Sequence, residues 1–323
     1  MRDRYDVVVV GGGAAGLAGA LTLARARRSV LVIDAGAPRN APAGHVHNYL
    51  GREGTPPEEL LEAGRAEVAS YGGEVVTGRV ASARRRGDDD FDVLLADGRS
   101  VRGRRLLLAT GLTDELPGVP GLAERWGTDV LHCPYCHGWE VRDQAIGVLS
   151  TGPFGVHQAL LFRQLSDDVT LLRHTGPDLT DEQAEQLAAR DIAVVAGKVT
   201  GVEVRSGRLT GARLDTGVLV PLAALVVSPR MSANVSAFAE LGVEATDQYL
   251  QDQLIGSCVE VDAAGATAVP GVWAVGNVTS VQAQVIGSAS AGTMAAAAIN
   301  GDLVQEDARR AVAEREARES AAM

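Results

Sequence analysis

The sequence predicts an α/β protein built from two Rossmann-like, three-layer ββα nucleotide-binding domains. Two βαβ patterns support this prediction, one at the N-terminus and one that begins near residue 145. The Pro- and Gly-rich stretch from Pro117 to Gly121 lies between them and marks a domain boundary. A chain of 323 residues is long enough for two domains, and 38 glycines with only 4% aromatic residues favour close packing of helices on a parallel sheet.

Composition restricts the partners and the compartment. A net charge of -11 argues against nucleic acid or an anionic membrane as the partner. No apolar run approaches the roughly 20 residues that a membrane-spanning helix needs, and the first strand begins near Tyr5, which leaves no room for a signal peptide. We therefore expect a cytoplasmic protein, in which any disulfide among its 3 cysteines is catalytic rather than structural.

The first βαβ unit opens the chain. A strand is predicted from Val7 to Val10, because a continuous apolar run is typical of a buried parallel strand. Gly11-Gly12-Gly13-Ala14-Ala15-Gly16 then turns into a helix predicted from about Leu17 to Arg27. The second strand is predicted from Ser29 to Ile33 and ends at Asp34. This order and spacing form the fingerprint of a dinucleotide-binding site.

The residues of this fingerprint have separate physical roles. Gly11 permits the tight turn, Gly13 lets the backbone approach a pyrophosphate, and Gly16 lets the helix pack closely on the strand. The helix N-terminus supplies backbone donors to the phosphates, and Asp34 is expected to accept hydrogen bonds from ribose hydroxyls. The predicted cofactor contacts here are Gly11, Gly13, Ala14, Ala15, Gly16 and Asp34.

Later segments complete the predicted first domain. Leu106-Leu107-Leu108-Ala109-Thr110-Gly111 is predicted as a buried strand that ends in a turn. Near the C-terminus, Val272-Trp273-Ala274-Val275-Gly276-Asn277 is predicted as a strand followed by a polar turn. An Ala-rich helix is predicted from about Ser288 to Ile299, and the tail after Gly301, which alternates acidic and basic residues, is predicted as an exposed helix.

The second βαβ unit follows the same order with a different turn. A strand is predicted from Ala145 to Leu149, followed by the turn Ser150-Thr151-Gly152-Pro153-Phe154-Gly155. A helix from Val156 to Leu165 and a strand from Val169 to Leu172 come next. The chain therefore carries a second nucleotide-binding pattern.

Cys133 and Cys136 lie between these two patterns, in His132-Cys133-Pro134-Tyr135-Cys136-His137. Two thiolates at this spacing suit either half of a tetrahedral zinc site or a redox disulfide. Zinc needs further ligands, and the one other cysteine, Cys258, is distant in sequence and has no neighbouring ligand. We therefore predict no metal site and a catalytic dithiol that exchanges electrons with a flavin.

Taken in order, these motifs resemble bacterial-type thioredoxin reductase over almost the whole chain. The resemblance rests on the glycine fingerprint, the Ala-Thr-Gly strand end, the central Cys-x-x-Cys, the second nucleotide turn, and Gly276-Asn277 before a Gln-Ala-Gln segment. It implies an FAD-binding domain formed by residues 1–115 and 244–323. It also implies an NADPH-binding-like domain formed by residues 116–243, which is inserted into the first domain and carries the Cys-x-x-Cys motif, and a homodimer.

The resemblance implies further FAD contacts. Gly276-Asn277 resembles a Gly-Asp pair whose acid bonds the flavin ribityl chain, and asparagine keeps a hydrogen bond while removing the charge. Gln284 and Val285 resemble a helix start that faces the flavin pyrimidine oxygen, and the loop from Gly44 to Gly51 resembles one that runs near the flavin. The contacts implied are Asn48, Thr110, Gly111, Gly276, Asn277, Gln284 and Val285.

Two departures from the thioredoxin reductase pattern weaken the expected NADPH site. Where Gly-x-Gly-x-x-Ala is expected, Ser150 crowds the turn, Pro153 removes a backbone donor and Phe154 faces the place of the pyrophosphate. The His-Arg-Arg segment that holds the NADPH 2′-phosphate is replaced by Arg173-His174-Thr175, which keeps one arginine of two. We therefore expect poor NADPH binding and a second domain that serves as a packing scaffold.

The third departure is His137, which replaces the aspartate that follows the second cysteine in thioredoxin reductases. A neutral histidine accepts a thiol proton, which suits a reaction that starts from a dithiol substrate, whereas the alternative is a packing or capping histidine. The Cys-x-x-Cys-His-Gly pattern is similar to that of dithiol oxidases that close disulfides in natural products such as holomycin, gliotoxin and romidepsin.

These patterns predict an FAD-dependent dithiol oxidase that forms a disulfide in a small-molecule dithiol through Cys133 and Cys136, with O2 as the terminal acceptor and H2O2 as the product. An NADPH- or ferredoxin-dependent disulfide reductase is the alternative of the same class, and a flavin-binding redox sensor without turnover is the alternative of another class. His45 and His47 either shape the substrate pocket or pack within their loop, and Cys258 is assigned no role.

Overall fold

The computed structural model describes residues 1–87, 90–250 and 252–321. The strands are β1 (Arg4–Val10), β2 (Val30–Asp34), β3 (Glu74–Thr77), β4 (Val80–Arg86), β5 (Asp90–Leu95), β6 (Ser100–Leu108), β7 (Leu112–Glu115), β8 (Val130–Leu131), β9 (Ile146–Leu149), β10 (Val169–Leu172), β11 (Ala193–Val195), β12 (Val199–Arg205), β13 (Arg208–Leu214), β14 (Leu219–Pro221), β15 (Ala224–Val226), β16 (Arg230–Ala233), β17 (Thr246–Leu250), β18 (Gln253–Cys258) and β19 (Val272–Ala274). The α-helices are α1 (Ala14–Arg25), α2 (Pro57–Ser70), α3 (Pro134–His137), α4 (Gly155–Phe162), α5 (Asp181–Ala189) and α6 (Val285–Ala321).

The first domain is built on a sheet whose parallel strands lie in the order β3-β2-β1-β6-β19. β5 extends this sheet by antiparallel pairing with β6, and β4 pairs antiparallel with β5. In the register of the sheet, Val8 of β1 lies between Leu31 of β2 and Leu106 of β6. The central position of β1 explains why its sequence is apolar without interruption.

The two faces of β1 contact different layers. Val9 belongs to the core cluster that contains Leu23 of α1 and Ile299 of α6. Val8 points to the opposite face and belongs to the cluster that contains Phe91 of β5. Because side chains alternate along a strand, β1 is buried between helices on one face and a layer of strands on the other. The predicted three-layer α/β class is confirmed.

α1 and α6 pack against each other at glycine residues. A Cβ atom at Gly292 would lie 2.0 Å from the carbonyl oxygen of Ala15, and a Cβ atom at Gly19 would lie 3.2 Å from the carbonyl oxygen of Gly292. Only glycine allows the two backbones to approach this closely. The crossing places the start of α6 beside the start of α1.

The second domain contains a five-stranded parallel sheet in the order β11-β10-β9-β15-β8, with α4 and α5 in its connections. An antiparallel sheet of β12, β13 and β14 packs beside it. Phe162 of α4 and Val148 of β9 belong to one core cluster, and Leu149 and Leu225 belong to the next. The predicted second Rossmann-like unit is confirmed.

The chain passes into the second domain after β7 and returns through β16, and these two strands pair with each other. The antiparallel register places Asp114 opposite Met231 and Thr113 opposite Ser232. Phe238 and Val243 follow β16 and lie in a core cluster of the first domain. We therefore propose that the second domain ends near residue 229, before β16, rather than at residue 243 as the sequence predicted.

α6 is one continuous helix of 37 residues, whereas the sequence predicted an Ala-rich helix and a separate exposed tail. A buried ionic cluster holds the part beyond Gly301 on the sheet. Glu306 pairs with Arg105 at 2.7 Å and with Arg104 at 3.2 Å, and Arg104 also pairs with Asp6 at 2.9 Å. None of the helices in the described ranges is long and apolar enough to cross a membrane.

Replacing Glu306 with alanine should destabilise the first domain. The Glu306→Ala change removes the carboxylate that two buried guanidinium groups share. Arg104 keeps Asp6 and Asp307, and Arg105 keeps Asp302, so we expect the free energy of unfolding to fall by about 2 kcal/mol, the scale of a hydrogen bond to a charged group. Urea unfolding of the holoprotein measures this change. Glu314→Ala is the matched control, because that glutamate is 70% exposed on the same helix and should change stability by less than about 0.5 kcal/mol. Equal effects of the two substitutions would contradict the anchoring role.

Candidate active site

A cavity of about 1480 Å³ lies between the two domains and collects nearly every residue predicted to bind FAD or carry out catalysis. Residues of both domains line it. The predicted residues in its wall are Gly11, Gly13, Ala14, Ala15, Asp34, Thr110, Gly111, Cys133, Cys136, His137, Gly276, Asn277, Gln284 and Val285.

Two predicted cofactor residues lie outside this wall. Gly16 packs behind it, where a Cβ atom would lie 1.9 Å from the carbonyl oxygen of Gly11, so its role is to let α1 approach the turn. Asn48 is directed elsewhere, because its side-chain amide donates a hydrogen bond of 2.7 Å to the carbonyl oxygen of Tyr135, between the two cysteines. The structure thus separates Asn48 from the predicted FAD contacts.

The glycine turn after β1 has the shape that a dinucleotide requires. Gly11 has φ +107°, and a Cβ atom there would lie 2.2 Å from the carbonyl oxygen of Ala109. A Cβ atom at Gly12 would contact the side chain of Asp34 at 2.7 Å. No atom of the described chain lies within 4 Å of a Cβ position at Gly13, which leaves this backbone open to a phosphate group.

Polar groups at two other points of the cavity also fit FAD. The hydroxyl oxygen of Thr110 is buried, and the described residues offer it no hydrogen-bond partner. Asn277 donates from its amide nitrogen to the carbonyl oxygens of Ser280 and Ala283, at 3.1 and 2.9 Å. This leaves the amide oxygen of Asn277 as an acceptor for a hydroxyl group.

The redox pair reaches the cavity from the second domain. Cys133 precedes α3 and Cys136 lies within it, because Pro134 suits the first position of a helix. The Sγ atom of Cys136 donates a hydrogen bond to the Sγ atom of Cys133 across 2.7 Å, and both cysteines are partly buried. Thiol and disulfide forms of this pair therefore differ by a small movement of the side chains.

The two thiols have different acidities. The hydrogen bond from Cys136 lowers the pKa of Cys133 to about 7, against the opposing effect of burial, and backbone N–H groups of Cys136 and Tyr135 contribute in the same direction. The same hydrogen bond, together with burial, raises the pKa of Cys136. Cys133 is therefore the cysteine that carries the negative charge in the reduced pair.

His137 follows the redox pair at the end of α3 and lines the main cavity together with a side cavity of about 340 Å³. Burial lowers its pKa, a shift that Glu140 opposes and His47 reinforces. Its Nε2 atom is buried and has no hydrogen-bond partner among the described residues. A neutral imidazole with a vacant nitrogen beside a thiol site is suited to accept a proton.

Arg39 is a site residue that sequence reasoning missed. It lies in the loop after β2, lines the main cavity and donates two hydrogen bonds of 2.7 Å to the carboxylate of Asp114 on β7. Its positive charge contributes to a lower pKa of both Cys133 and Cys136. Arg39 and Asp114 are 75 residues apart, so no local pattern indicates the pair.

His45, His47 and Cys258, for which the sequence indicated no single role, each have clear neighbours in the structure. His45 and His47 line both cavities, with ring centroids 6.1 Å apart. His47 lies between two carboxylates, with its Nδ1 atom 2.6 Å from Glu53 and its Nε2 atom 3.3 Å from Glu140. Cys258 is buried at the end of β18, and burial raises its pKa, as for a cysteine that serves as a small packed side chain.

The second nucleotide turn is covered by the first domain. The side chain of Gln253 on β18 lies over Gly152, so close that a Cβ atom on this glycine would be 2.2 Å from Oε1 of Gln253. Arg173, which remains from the expected phosphate clamp, pairs with Asp178. The Nδ1 atom of His174 accepts a hydrogen bond of 3.0 Å from the backbone N–H of Val199.

Across residues 1–87, 90–250 and 252–321, no three or more histidine, cysteine, aspartate or glutamate side chains form a group that could hold a metal ion.

Comparison with known proteins identifies the family. The family model for pyridine nucleotide-disulphide oxidoreductases matches residues 5–300, and the chain belongs to this family. It is 32% identical to the thioredoxin reductase aclD of Aspergillus oryzae over 259 residues, which cover 75% of this chain and 82% of aclD. It is 28% identical to the thioredoxin reductase sirT of Leptosphaeria maculans, covering 92% and 93% of the two chains.

A solved structure extends this likeness. The crystal structure of HlmI matches with a TM-score of 0.89 and 47% identity, and the match covers 97% of both chains. The protein is thus a thioredoxin reductase-like flavoprotein oxidoreductase with FAD as its cofactor. The open backbone at Gly13 and the buried hydroxyl of Thr110 agree with that cofactor.

Gly13→Ala should weaken FAD binding without disturbing the fold. The added Cβ atom meets no atom of the described chain, but it obstructs the approach of the pyrophosphate to the backbone. We expect the affinity to fall roughly tenfold or more, as for the loss of one hydrogen bond to a charged group. Titration of the apoprotein with FAD measures it. Gly301→Ala, also without a nearby atom, is the control, and equal affinity of both variants would refute this contact.

Proposed function

We propose that the protein is an FAD-dependent dithiol oxidase that closes a disulfide in a small-molecule dithiol, with O2 as the terminal electron acceptor. One observation carries the proposal. Cys133, Cys136 and a partly buried His137, whose Nε2 atom has no hydrogen-bond partner among the described residues, lie in the wall of the FAD cavity, while Gln253 covers the turn that would hold NADPH. Electrons can therefore enter from a thiol substrate, whereas the nicotinamide route is obstructed.

The second domain lacks the free groups that NADPH would need. Phosphate recognition depends on open backbone donors and unpaired cations. Here a side chain lies against Gly152, Arg173 is already paired with Asp178, and the Nδ1 atom of His174 is occupied by the backbone of Val199. The similarity of Cys-x-x-Cys-His-Gly to the dithiol oxidase pattern supports the same direction of electron flow.

The first step is attack by a substrate thiolate on the enzyme disulfide. His137 accepts the proton of the substrate thiol, and the resulting thiolate attacks the Sγ atom of Cys133. The Cys133–Cys136 bond breaks, a mixed disulfide forms between the substrate and Cys133, and Cys136 leaves as a thiolate. The choice of Cys133 as the exchanging cysteine rests on the resemblance to thioredoxin reductases, whose pattern makes the first cysteine of the motif the outer one.

The second step releases the product. The other substrate thiolate attacks the substrate sulfur of the mixed disulfide, the substrate disulfide closes, and Cys133 leaves as a thiolate. A pKa near 7 makes Cys133 a good leaving group near neutral pH. FAD held in the cavity beside the redox pair would supply a two-electron acceptor for the reduced cysteines, with O2 as the proposed terminal oxidant and H2O2 as its product. The net reaction converts one dithiol and O2 into one disulfide and H2O2.

The biological setting follows from the same proposal. We propose a natural-product dithiol as the substrate, a homodimer as the assembly, as is common among thioredoxin reductase-like enzymes, and the cytoplasm as the location. The excess of acidic over basic residues, 41 against 30, supports a partner other than nucleic acid or an anionic membrane.

Cys133→Ser should abolish turnover and leave Cys136 as a lone thiolate beside the flavin. The negative Cys133 that raises the pKa of Cys136 is then absent, so Cys136 ionises more readily. A long-wavelength charge-transfer absorption band should report this thiolate. Cys258→Ser should keep normal turnover and spectrum, because Cys258 is packed in β18. A band seen only in Cys136→Ser would reverse the assignment of the two cysteines.

His137→Ala should slow oxidation of a dithiol by roughly 10²–10⁴-fold, the usual loss for a general base. Because burial lowers the pKa of His137, its base form persists at lower pH than for an ordinary histidine, and wild-type activity should fall only as the pH drops through that lowered pKa. The deficit of the variant should shrink at higher pH, where substrate thiols ionise without help. Rate measurements across pH test this, and parallel profiles for both proteins would assign His137 to packing.

Anaerobic stopped-flow mixing distinguishes the oxidase from the NADPH-dependent reductase. Dithiothreitol should bleach the flavin absorbance, and admission of O2 should restore it with formation of H2O2. NADPH should bleach it slowly at best, because loss of two or more charge-assisted phosphate contacts weakens binding by roughly a hundredfold or beyond. Rapid, saturable bleaching by NADPH would overturn the oxidase proposal in favour of the reductase.

A further inference from the structure

A loop of the first domain contacts the redox segment of the second domain beside the cavity. Asn48 donates a hydrogen bond of 2.7 Å from its side-chain amide to the carbonyl oxygen of Tyr135, the residue just before Cys136. Next to it, the Nε2 atom of His47 lies 3.3 Å from the Oε1 atom of Glu140. We call the contacts of Asn48 with Tyr135 and of His47 with Glu140 the clasp.

Contacts within the loop hold Asn48 and His47 in position. Glu53 accepts a hydrogen bond of 2.9 Å from the backbone N–H of Asn48, and its other carboxylate oxygen lies 2.6 Å from the Nδ1 atom of His47. Bridge pairing of Val46 with Thr55 closes the loop behind them. Asn48 has φ 58°, a left-handed conformation that asparagine tolerates better than most residues.

The redox segment needs an external partner at this point. α3 has only 4 residues, Pro134–His137, and the last carbonyl groups of a helix have no partner within it. Asn48 satisfies the carbonyl group of Tyr135. A helix of one turn is marginal by itself, so contacts from other elements set its position. On the side of the first domain, Asn48 and His47 supply such contacts.

We propose that Asn48 and His47 are positioning residues that fix the Cys133–Cys136 pair against the FAD site. This inference rests on the proposed redox role of the two cysteines. It reassigns Asn48, because the contact that it makes is with the peptide between the cysteines rather than with the cofactor cavity. When the clasp opens, α3 moves relative to the cavity wall, and electron transfer from Cys136 slows.

Asn48→Asp tests the proposal with little change in shape. Aspartate tolerates the left-handed backbone but cannot donate to the carbonyl oxygen of Tyr135. Hydrogen exchange of the oxidised holoprotein should rise about fivefold across residues 132–141, the effect of losing one hydrogen bond on a local opening equilibrium. Leu50→Ala is the matched control, because Leu50 lies in the same loop and is 92% exposed.

A spectroscopic readout separates positioning from general stability. In a Cys133→Ser background, the charge-transfer band of Cys136 with the flavin should weaken in Asn48→Asp and keep its intensity in Leu50→Ala. Glu140→Ala, which removes the carboxylate of the clasp from the second domain and leaves the loop unchanged, should weaken the band in the same way. This variant also serves if Asn48→Asp fails to fold.

The outcomes are distinct. Exchange and spectra equal to those of Leu50→Ala would overturn the proposal. Faster exchange in β1 and α1 to the same degree as in residues 132–141 would also overturn it, because it would indicate a general loss of stability. Neither readout requires turnover or O2. If the protein consumes no O2 with dithiols but its variants show the local exchange and the weaker band, the proposed function is refuted and the positioning role of the clasp is supported.

Discussion

The antiparallel pairing of β7 with β16 joins the two crossings between the domains. The chain leaves the first domain through one strand and returns through the other, so their shared ladder fixes how the second domain sits on the first. Asp114 of β7 also receives both hydrogen bonds of Arg39, which connects this crossing to the loop that lines the FAD cavity. With the orientation fixed, Cys133 and Cys136 of the second domain reach a cavity whose FAD contacts belong to the first.

Within that cavity, the pKa values of Cys133 and His137 are both lowered, by different causes. A hydrogen bond from Cys136 stabilises the anion of Cys133 and lowers its pKa to about 7. Burial disfavours the cation of His137 and lowers the pKa of the imidazole. One group thus favours its charged form and the other its neutral form near neutral pH. Thiol exchange requires this combination, since the reaction needs a thiolate that leaves and a base that is free to accept a proton.

The second domain combines the fold of a nucleotide-binding domain with a turn that a side chain of the first domain covers. Its parallel sheet and helix order are retained, because they depend on burial of apolar strands between helices. The turn after β9 keeps Gly152, but here the missing side chain makes room for Gln253 of the first domain. A glycine that the family pattern associates with phosphate therefore serves contact between domains.

Features whose signals are local could be predicted from the sequence. The apolar run of β1, the glycine turn with Gly11 and Gly16, and the Cys133–Cys136 spacing follow from strand burial, backbone conformation and thiol chemistry within a few residues. Local charge alternation also indicated a helix beyond Gly301. It did not indicate that this helix continues the Ala-rich helix without a break, or that a buried Glu306 pairs it with the sheet. Only the tertiary structure decided the partner of Asn48, which faces Tyr135 across 87 residues of sequence, and the pairing of Arg39 with Asp114. These contacts depend on which loops the domain crossing brings together, and no pattern along the chain carries that information.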